Sequence, residues 1–299
     1  MSDQITTAFV QQYTSNVQLL QQQMMSNLRG AVDVETGVKG EFTYFEQVAA
    51  TAMTEIGNRH GDTTYTDTIH RRRRVALRDY DVADLIDNPD KVRTLIDPTN
   101  SYVRQFAAAA NRQTDDTIIS AFDAAVSTGK TGSGTDSFDS TNYEIAVNFE
   151  GGGSDTNLTT AKLREARRIL EAAENPEDDG DNQWYLVCSA AQRQGLLGDT
   201  EFQNSDYNSV KALVDGSVDT WLGFKFIKSE RLPSAAGNVT SVFAWRKASM
   251  KLAIGSESRG YVDVLPGKRH STQVRYTTCI GAVRMDQVGV VRILADDDE

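Results

Sequence analysis

The alternation of apolar and polar positions changes character several times along the chain. Phe9, Val10, Tyr13, Val17, Leu20, Met24 and Leu28 recur at helical spacing, with Gln, Asn, Ser and Thr on the other face and Gly30 and Gly37 bracketing the end. Residues 1–36 therefore read as an amphipathic arm. Such a helix is marginal alone in water and needs a surface to pack on. The pattern then turns extended. GEFTYFEQVAATAMTEI and IHRRRRVALRDYDVADLI flank the polar tip GNRHGDTTYTD, as in a long hairpin.

Residues 97–128 carry the strongest helical signal. Asp97 can cap, Pro98 suits the first turn, and Val103, Phe106, Ala107, Ala110, Thr114, Ile118, Phe122 and Ala125 share one stripe. Gly129 stands where a C-terminal cap belongs. A rod of this length spans roughly 45 Å. Residues 129–158 are rich in Gly, Ser, Thr and Asp and read as a loop or flexible hairpin. A second amphipathic helix runs from Thr160 to Ala173, with Leu163, Ala166, Ile169, Leu170 and Ala173 on one face. QWYLVCS follows as a buried strand, and SAAQRQGLL as a short helix capped by Ser189. From Trp221 the chain is mostly strand: WLGFKFIKS, VTSVFAWRK, SMKLAIG, GYVDVLP, QVRYTTCIGAVRMD and GVVRILA. The class is α+β, with no internal repeat.

Composition narrows the chemistry. The chain has 299 residues, 42 acidic against 31 basic, for a formal charge of −11. That balance argues against tight binding of phosphate backbones over most of the surface. The two cysteines, Cys188 and Cys279, lie far apart and read as buried thiols in a reducing cytoplasm. With only His60, His70 and His270 there is no zinc spacing, and no metal site or cofactor is expected. The acidic runs EDDGD and DDDE read as a solvated turn and tail. No secretory leader or membrane-length apolar run is present in the sequence as given.

One stretch imitates a catalytic motif. Ala124–Thr131 reads A-x-x-x-x-G-K-T, a relaxed phosphate-binding loop. A working loop follows a buried strand and opens a helix, whose N-terminus holds the phosphates. Here the glycine is expected to follow a helix, where the dipole is negative. No nucleotide site is expected, no G-x-S-x-G elbow occurs, and no enzyme activity is implied.

Arg71, Arg72, Arg73 and Arg74 lie in a predicted strand, so two side chains point to each face and neither face is an ordinary core. Three readings remain: a solvated loop, an arm lying over another subunit whose carboxylates pair with the arginines, or a nucleic-acid contact. The last is weakened by the overall charge and by DYDVAD nearby.

The order of elements, with three local stretches, resembles the major capsid proteins of tailed bacteriophages, the Hong Kong 97-type fold. RRRVALRDYDVADLID is similar to the descending arm of that family's extended loop. WLGFKFIKSERLP is similar to its G-F-x-hydrophobic-x-x-S-x-x-L-P strand, through Gly223, Phe224, Ser229, Leu232 and Pro233. IGAVRMDQVGVVRI resembles its closing strands.

The resemblance implies an N-terminal arm over 1–36, an extended loop over 37–86, and a peripheral domain over 87–154 with a spine helix at 97–128. An axial domain would cover 155–260, and return strands 261–299. It implies self-assembly as hexamers and pentamers into an icosahedral head around packaged double-stranded DNA, without sequence-specific binding. Phe9, Tyr13, Phe42, Tyr44 and Arg71–Arg74 become candidate inter-subunit contacts. A separate scaffolding protein, a portal protein and optionally a decoration protein are implied partners. The virion is the expected location, with assembly in the host bacterial cytoplasm and no membrane. The family's Lys–Asn cross-link is not expected, because no Lys lies between Phe42 and Tyr80. An encapsulin-like nanocompartment shell is the alternative.

Overall fold

The computed structural model describes residues 22–55, 57, 61–63, 65–87, 99–172, 183–198 and 220–298. In chain order these form β1 (Asp33–Thr36), β2 (Phe42–Val48), β3 (His70–Ala76), β4 (Arg78–Ile86), α1 (Thr99–Asp123), β5 (Val126–Thr128) and β6 (Gly134–Asp136). Then come α2 (Ser140–Tyr143), β7 (Glu144–Ile145), α3 (Thr160–Ala172), β8 (Trp184–Cys188), α4 (Ala190–Gly198), β9 (Thr220–Trp221), β10 (Phe224–Lys228) and β11 (Ser234–Ala236). The chain closes in β12 (Val239–Arg246), β13 (Met250–Leu265), β14 (Ser271–Arg284) and β15 (Val290–Asp296). Contacts divide it into two units. The larger takes Ser26–Asp79, Gln113–Glu257 and Cys279–Glu299; the smaller takes the described parts of Met1–Met25, Tyr80–Arg112 and Ser258–Thr278.

A seven-stranded sheet in the order β7-β15-β12-β8-β10-β9, with β11 on β12, organises the larger unit. Its central strands read as continuous apolar runs because both faces are covered. On one face Trp184, Leu186, Cys188, Val242, Ala244, Val291 and Ile293 pack with Leu163, Ala166 and Leu170 of α3. On the other, the Phe122 ring lies 4.8 Å from that of Phe243 and 4.7 Å from that of Trp245. The alternation Val242, Phe243, Ala244, Trp245 thus serves two cores with one strand. Ser189 starts α4 as expected, its backbone N–H donating to Gln192 Oε1 at 2.6 Å while its own hydroxyl receives the Gln192 N–H at 3.5 Å. This reciprocal pair satisfies two groups that a helix start leaves open.

Two buried charges support this unit. Lys162, fully buried, donates its Nζ protons to the carbonyls of Thr156 at 2.7 Å, Asn157 at 3.0 Å and Leu294 at 2.9 Å. Asp115, also fully buried, accepts the Ser26 hydroxyl at 2.5 Å and the backbone N–H groups of Asn27 at 3.0 Å and Leu28 at 3.2 Å. These bonds explain why residues 22–36 depart from the expected arm helix. Arg29–Ala31 make a single 3-10 turn, β1 pairs in parallel with β13, and Trp245 Nε1 donates to the Ala31 carbonyl at 2.9 Å. Tertiary partners take the backbone groups that helix bonds would have used. Phe9 and Tyr13, with the rest of 1–21, lie outside the described residues.

The long helix is shorter than the apolar stripe suggested: α1 ends at Asp123. Val126–Thr128 instead form β5, registered against Arg73 and Arg74 of β3, and Ala125 is exposed. Val and Thr favour strands, and the neighbouring strand rewards that preference. Gly129, with φ of 88°, belongs to the turn between β5 and β6 and caps no helix. Asp97 and Pro98 lie outside the described residues. SMKLAIG and GYVDVLP are one strand, β13, of 16 residues. Gly255 does not break it. A Cβ there would stand 3.0 Å from the Leu77 side chain and 3.2 Å from Cys279 Sγ, so the glycine permits close packing.

In the smaller unit, Ile86, Phe106 and Val274 form a core with Val82, Tyr102, Val103 and Tyr276 around it. Arg275 pairs with Asp81 at 2.8 Å on its surface. Here β13 exposes Tyr261, Val262 and Val264.

Candidate assembly interface

The expected hairpin forms in part: the end of its second arm, Arg78–Ile86, is β4, which leaves the first arm and pairs with β14 in a separate sheet of order β1-β13-β14-β4. Strands β2 and β3 pair antiparallel from Phe42 opposite Ala76 to Val48 opposite His70, and one further bond joins Ala49 N to Ile69 O at 2.9 Å. Strands β5 and β6 extend the sheet in the order β2-β3-β5-β6. At the end of the paired arms and beyond it, Val48, Met53, Tyr65 and Ile69 are exposed at 63%, 101%, 91% and 61%. These are large apolar side chains that the subunit itself does not cover.

Strand alternation sorts the four arginines. Arg72 and Arg74 share the outer face with Phe42, Tyr44 and Glu46. Arg72 pairs with Glu46 directly across the ladder and lies 5.5 Å from the Tyr44 ring centroid, while Arg74 stands 4.6 Å from that of Phe42. Each cation thus covers an aromatic ring that is otherwise about two-fifths exposed. Tyr44 hydroxyl donates to Thr131 O at 3.2 Å, and Arg74 reaches Ser127 Oγ at 3.3 Å. Gly132 is required here: its φ is 72°, and a Cβ would fall 2.6 Å from Arg74 Cδ.

Arg73 points the other way, onto the face shared with Phe45 and Val75. It is 6% exposed and pairs with Asp136 of β6 at 2.6 Å. A face carrying an arginine is therefore a core after all, because the guanidinium passes beyond the apolar layer to a carboxylate. Arg71 is exposed and makes no ion pair among the described residues. The run thus divides: Arg72, Arg73 and Arg74 have side-chain partners within their own chain, and Arg71 has none among the described residues.

His70, Arg71, Arg72, Arg73, Thr128, Gly129, Lys130 and Thr135 line a cleft of about 830 Å³, with Glu46 and Asp136 on its wall. The A-x-x-x-x-G-K-T stretch borders this cleft, but as the turn of a β-hairpin. Residues Gly134–Asp136 after it are strand, so no helix N-terminus faces the turn. No group of three or more metal-binding side chains occurs among the described residues.

Near Arg73 lies a residue that the sequence reading missed. Arg284, fully buried at the end of β14, donates Nη1 to the Phe122 carbonyl at 2.5 Å and stacks 5.2 Å from the Phe138 centroid. Burial, with Arg73 nearby, pushes its pKa down to about 10 against the opposing pull of Asp136 and Asp123. Arg292 covers Phe138 too, at 5.3 Å, and pairs with Glu144 and, at 3.1 Å, with Asp123.

Residues 5–297 match the model of a family described as phage capsid protein. The chain belongs to that family. Among solved structures, this phage capsid protein is similar to the capsid of the cyanophage P-SCSP1u, at TM-score 0.74 and 14% identity, covering 97% of this chain and 93% of that one. The capsid of cyanophage Pam1 gives TM-score 0.71 at 14% identity, covering 98% and 97%. That of Helicobacter pylori bacteriophage KHP30 gives 0.71 at 10%, covering 99% and 98%. No curated protein matches the sequence. The α+β chain has the Hong Kong 97-type capsid fold, and the protein is a major capsid protein, a structural component of a bacteriophage's icosahedral shell. The encapsulin-like alternative is not favoured. None of the described helices is long and apolar enough to cross a membrane.

Proposed function

We propose that this capsid protein closes its shell as hexamers and pentamers in which the hairpin of residues 37–86 lies over a neighbouring copy. The observation that carries this is the apolar surface of the hairpin at and beyond the end of its paired arms, at Val48, Met53, Tyr65 and Ile69. A monomer gains nothing from such a surface, whereas a neighbour burying it supplies hydrophobic stabilisation at every copy. Phe42, Tyr44 and the four arginines lie at the root of that hairpin, and Phe9 and Tyr13 belong to an arm with the same need of a partner. In this reading 1–36 is the arm, 87–154 the peripheral domain, 155–260 the axial domain and 261–299 the return strands.

The shell encloses double-stranded DNA without gripping it, since an acidic subunit offers few counter-charges to phosphate. Its role is structural rather than catalytic. Assembly takes place in the host cytoplasm on a separate scaffolding protein, around a portal, with a decoration protein as an optional addition.

Electron microscopy of the full chain, alone and with its scaffolding protein, tests the reading against a variant with Val48, Met53, Tyr65 and Ile69 changed to Ser. Closed particles from the wild type and free capsomers or subunits from the variant are expected. Normal shells from the variant would exclude the hairpin as the overlapping element.

A further inference from the structure

Strand β13 outruns one of its two neighbours. β14 lies along one side of it, whereas β1 pairs with the other side only from Lys251 to Ile254. The Ile254 carbonyl accepts the Val38 N–H at 3.1 Å on the β1 side, and the Leu265 carbonyl accepts the His270 N–H at 3.1 Å on the β14 side. Within a strand the N–H and C=O of one residue point the same way, and successive residues alternate. The main-chain groups of Ser258, Gly260, Val262 and Val264 therefore face an edge that no described strand covers.

That edge is open to pairing. Tyr261, Val262 and Val264 are 45%, 50% and 57% exposed, and every residue from Arg259 to Val264 is exposed, so neither face of the strand is covered. The opposite edge of the same sheet is β4, which carries Arg78, Asp79, Asp81 and Asp84. Charges of this kind keep an edge from adding a foreign strand. On β13 the exposed stretch has only Arg259 and Asp263 beside aromatic and β-branched residues that favour a sheet.

The hairpin holds the matching half. Residues 63–69, T-T-Y-T-D-T-I, run directly into β3, and six of the seven are β-branched or aromatic. Pairing with β2 stops at Val48 opposite His70, followed by the one bond from Ala49 N to Ile69 O. Residues 65–68 are exposed and make no hydrogen bond among the described residues. One chain thus carries a strand sequence without a sheet and a sheet edge without a strand. Both are exposed in the same subunit, so neither serves the other there. A head-to-tail ring of copies presents each to the next.

We propose that residues 63–69 of one copy add to the free edge of β13, at residues 258–265 of a neighbouring copy, as a fifth strand on its four-stranded sheet. This rests on the reading that the hairpin overlaps a neighbour, and it names the surface the hairpin lies on. Main-chain bonds to Ser258, Gly260, Val262 and Val264 hold the added strand, and burial of the apolar side chains on both partners adds to them.

Two measurements on shells of the full-length chain test this. In the first, p-benzoylphenylalanine replaces Tyr65, which is 91% exposed and therefore tolerant of the change, in shells mixed from ¹⁴N- and ¹⁵N-labelled copies. Irradiation should give mixed-isotope cross-links from position 65 to residues 258–265. Mixed-isotope cross-links to any other segment leave the overlapping hairpin standing and overturn the pairing. Cross-links confined to single copies overturn both. The second measurement needs no variant. Residue-resolved hydrogen exchange is compared between free subunits and shells of the wild-type chain. The amides of Gly260, Val262 and Val264 should slow at least about tenfold on assembly, while those of Tyr261 and Asp263, which face β14, should change less. Unchanged exchange at Gly260, Val262 and Val264 shows that the edge stays open in the shell, and the proposal fails whatever the cross-links.

Discussion

Nη2 of Arg73 lies 2.6 Å from Oδ2 of Asp136, joining the second strand of the long hairpin to the short hairpin beside it through a guanidinium that is almost wholly buried. Removing one partner of a buried pair leaves the other charge unpaired, which is strongly destabilising. The Asp136 side chain is 36% exposed, so solvent screens part of the effect. Asp136→Asn should lower the unfolding free energy by about 2 kcal/mol, read as a urea midpoint. Arg71→Ala should stay within about 0.5 kcal/mol of wild type. Equal losses from the two would show that burial of Arg73 contributes nothing.

The carboxylate of Asp115 holds the chain at Ser26–Leu28. Asp115→Ala leaves two backbone N–H groups and a hydroxyl without their acceptor, and should destabilise the subunit by about 3 kcal/mol. Hydrogen exchange resolves the consequence locally. The amides of Asn27 and Leu28 should lose protection first, whereas those of β12 should not change relative to global unfolding. Unchanged protection at Asn27 and Leu28 would rule the anchor out.

Three backbone carbonyls accept the ammonium protons of Lys162. Lys162→Met keeps the aliphatic stem but withdraws every donor, and a loss of about 2 kcal/mol follows. Lys162→Arg cannot reproduce one compact ammonium between three carbonyls and should be no better. Calorimetry of both variants decides it; a wild-type midpoint for Lys162→Met would mean that the carbonyls need no donor.

Both thiols are held up in pKa, to about 11. Burial acts first on Cys188, and on Cys279 burial is joined by a hydrogen bond with Asp79. The folded state therefore keeps them protonated where the unfolded chain ionises. Their contribution to stability is fully present below the unfolded value near 9 and is lost as pH rises from there through about 11. At pH 8 the thiolate fraction is on the order of a thousandth, so a disulfide reagent should label the native protein slowly and the urea-unfolded protein at once. Rapid native labelling of Cys188 would contradict its burial.

Much of this fold is legible in the sequence because it is written in periodicity. The two-faced strand VTSVFAWRK, the α3 stripe and the Ser189 cap all appear where the pattern puts them. The departures share a cause. The last apolar turn expected of α1 is won over by Arg73 and Arg74, whose strand offers Val126–Thr128 a ladder that no local signal announces. The arm residues near Leu28 give up helix for Asp115 and Trp245, far away in the chain. Asp115 and Lys162 were nevertheless visible in principle. Asp115 stands in register with Ile118 and Phe122, and Lys162 with Ala166, so each places a charge on a buried stripe. Arg284 carried only its position at the end of an apolar strand. The arginine run gave away its alternation but not its partners, because Asp136 sits in a Gly- and Ser-rich segment that reads as loop.

The grip of Asp115 and Trp245 on residues 26–31 also has a mechanical consequence. Asp115 stands in α1 and Trp245 in β12, so a pull on this segment is shared between the long helix and a central strand of the seven-stranded sheet rather than spent on a loop. Force applied there enters the larger unit through two fully buried side chains.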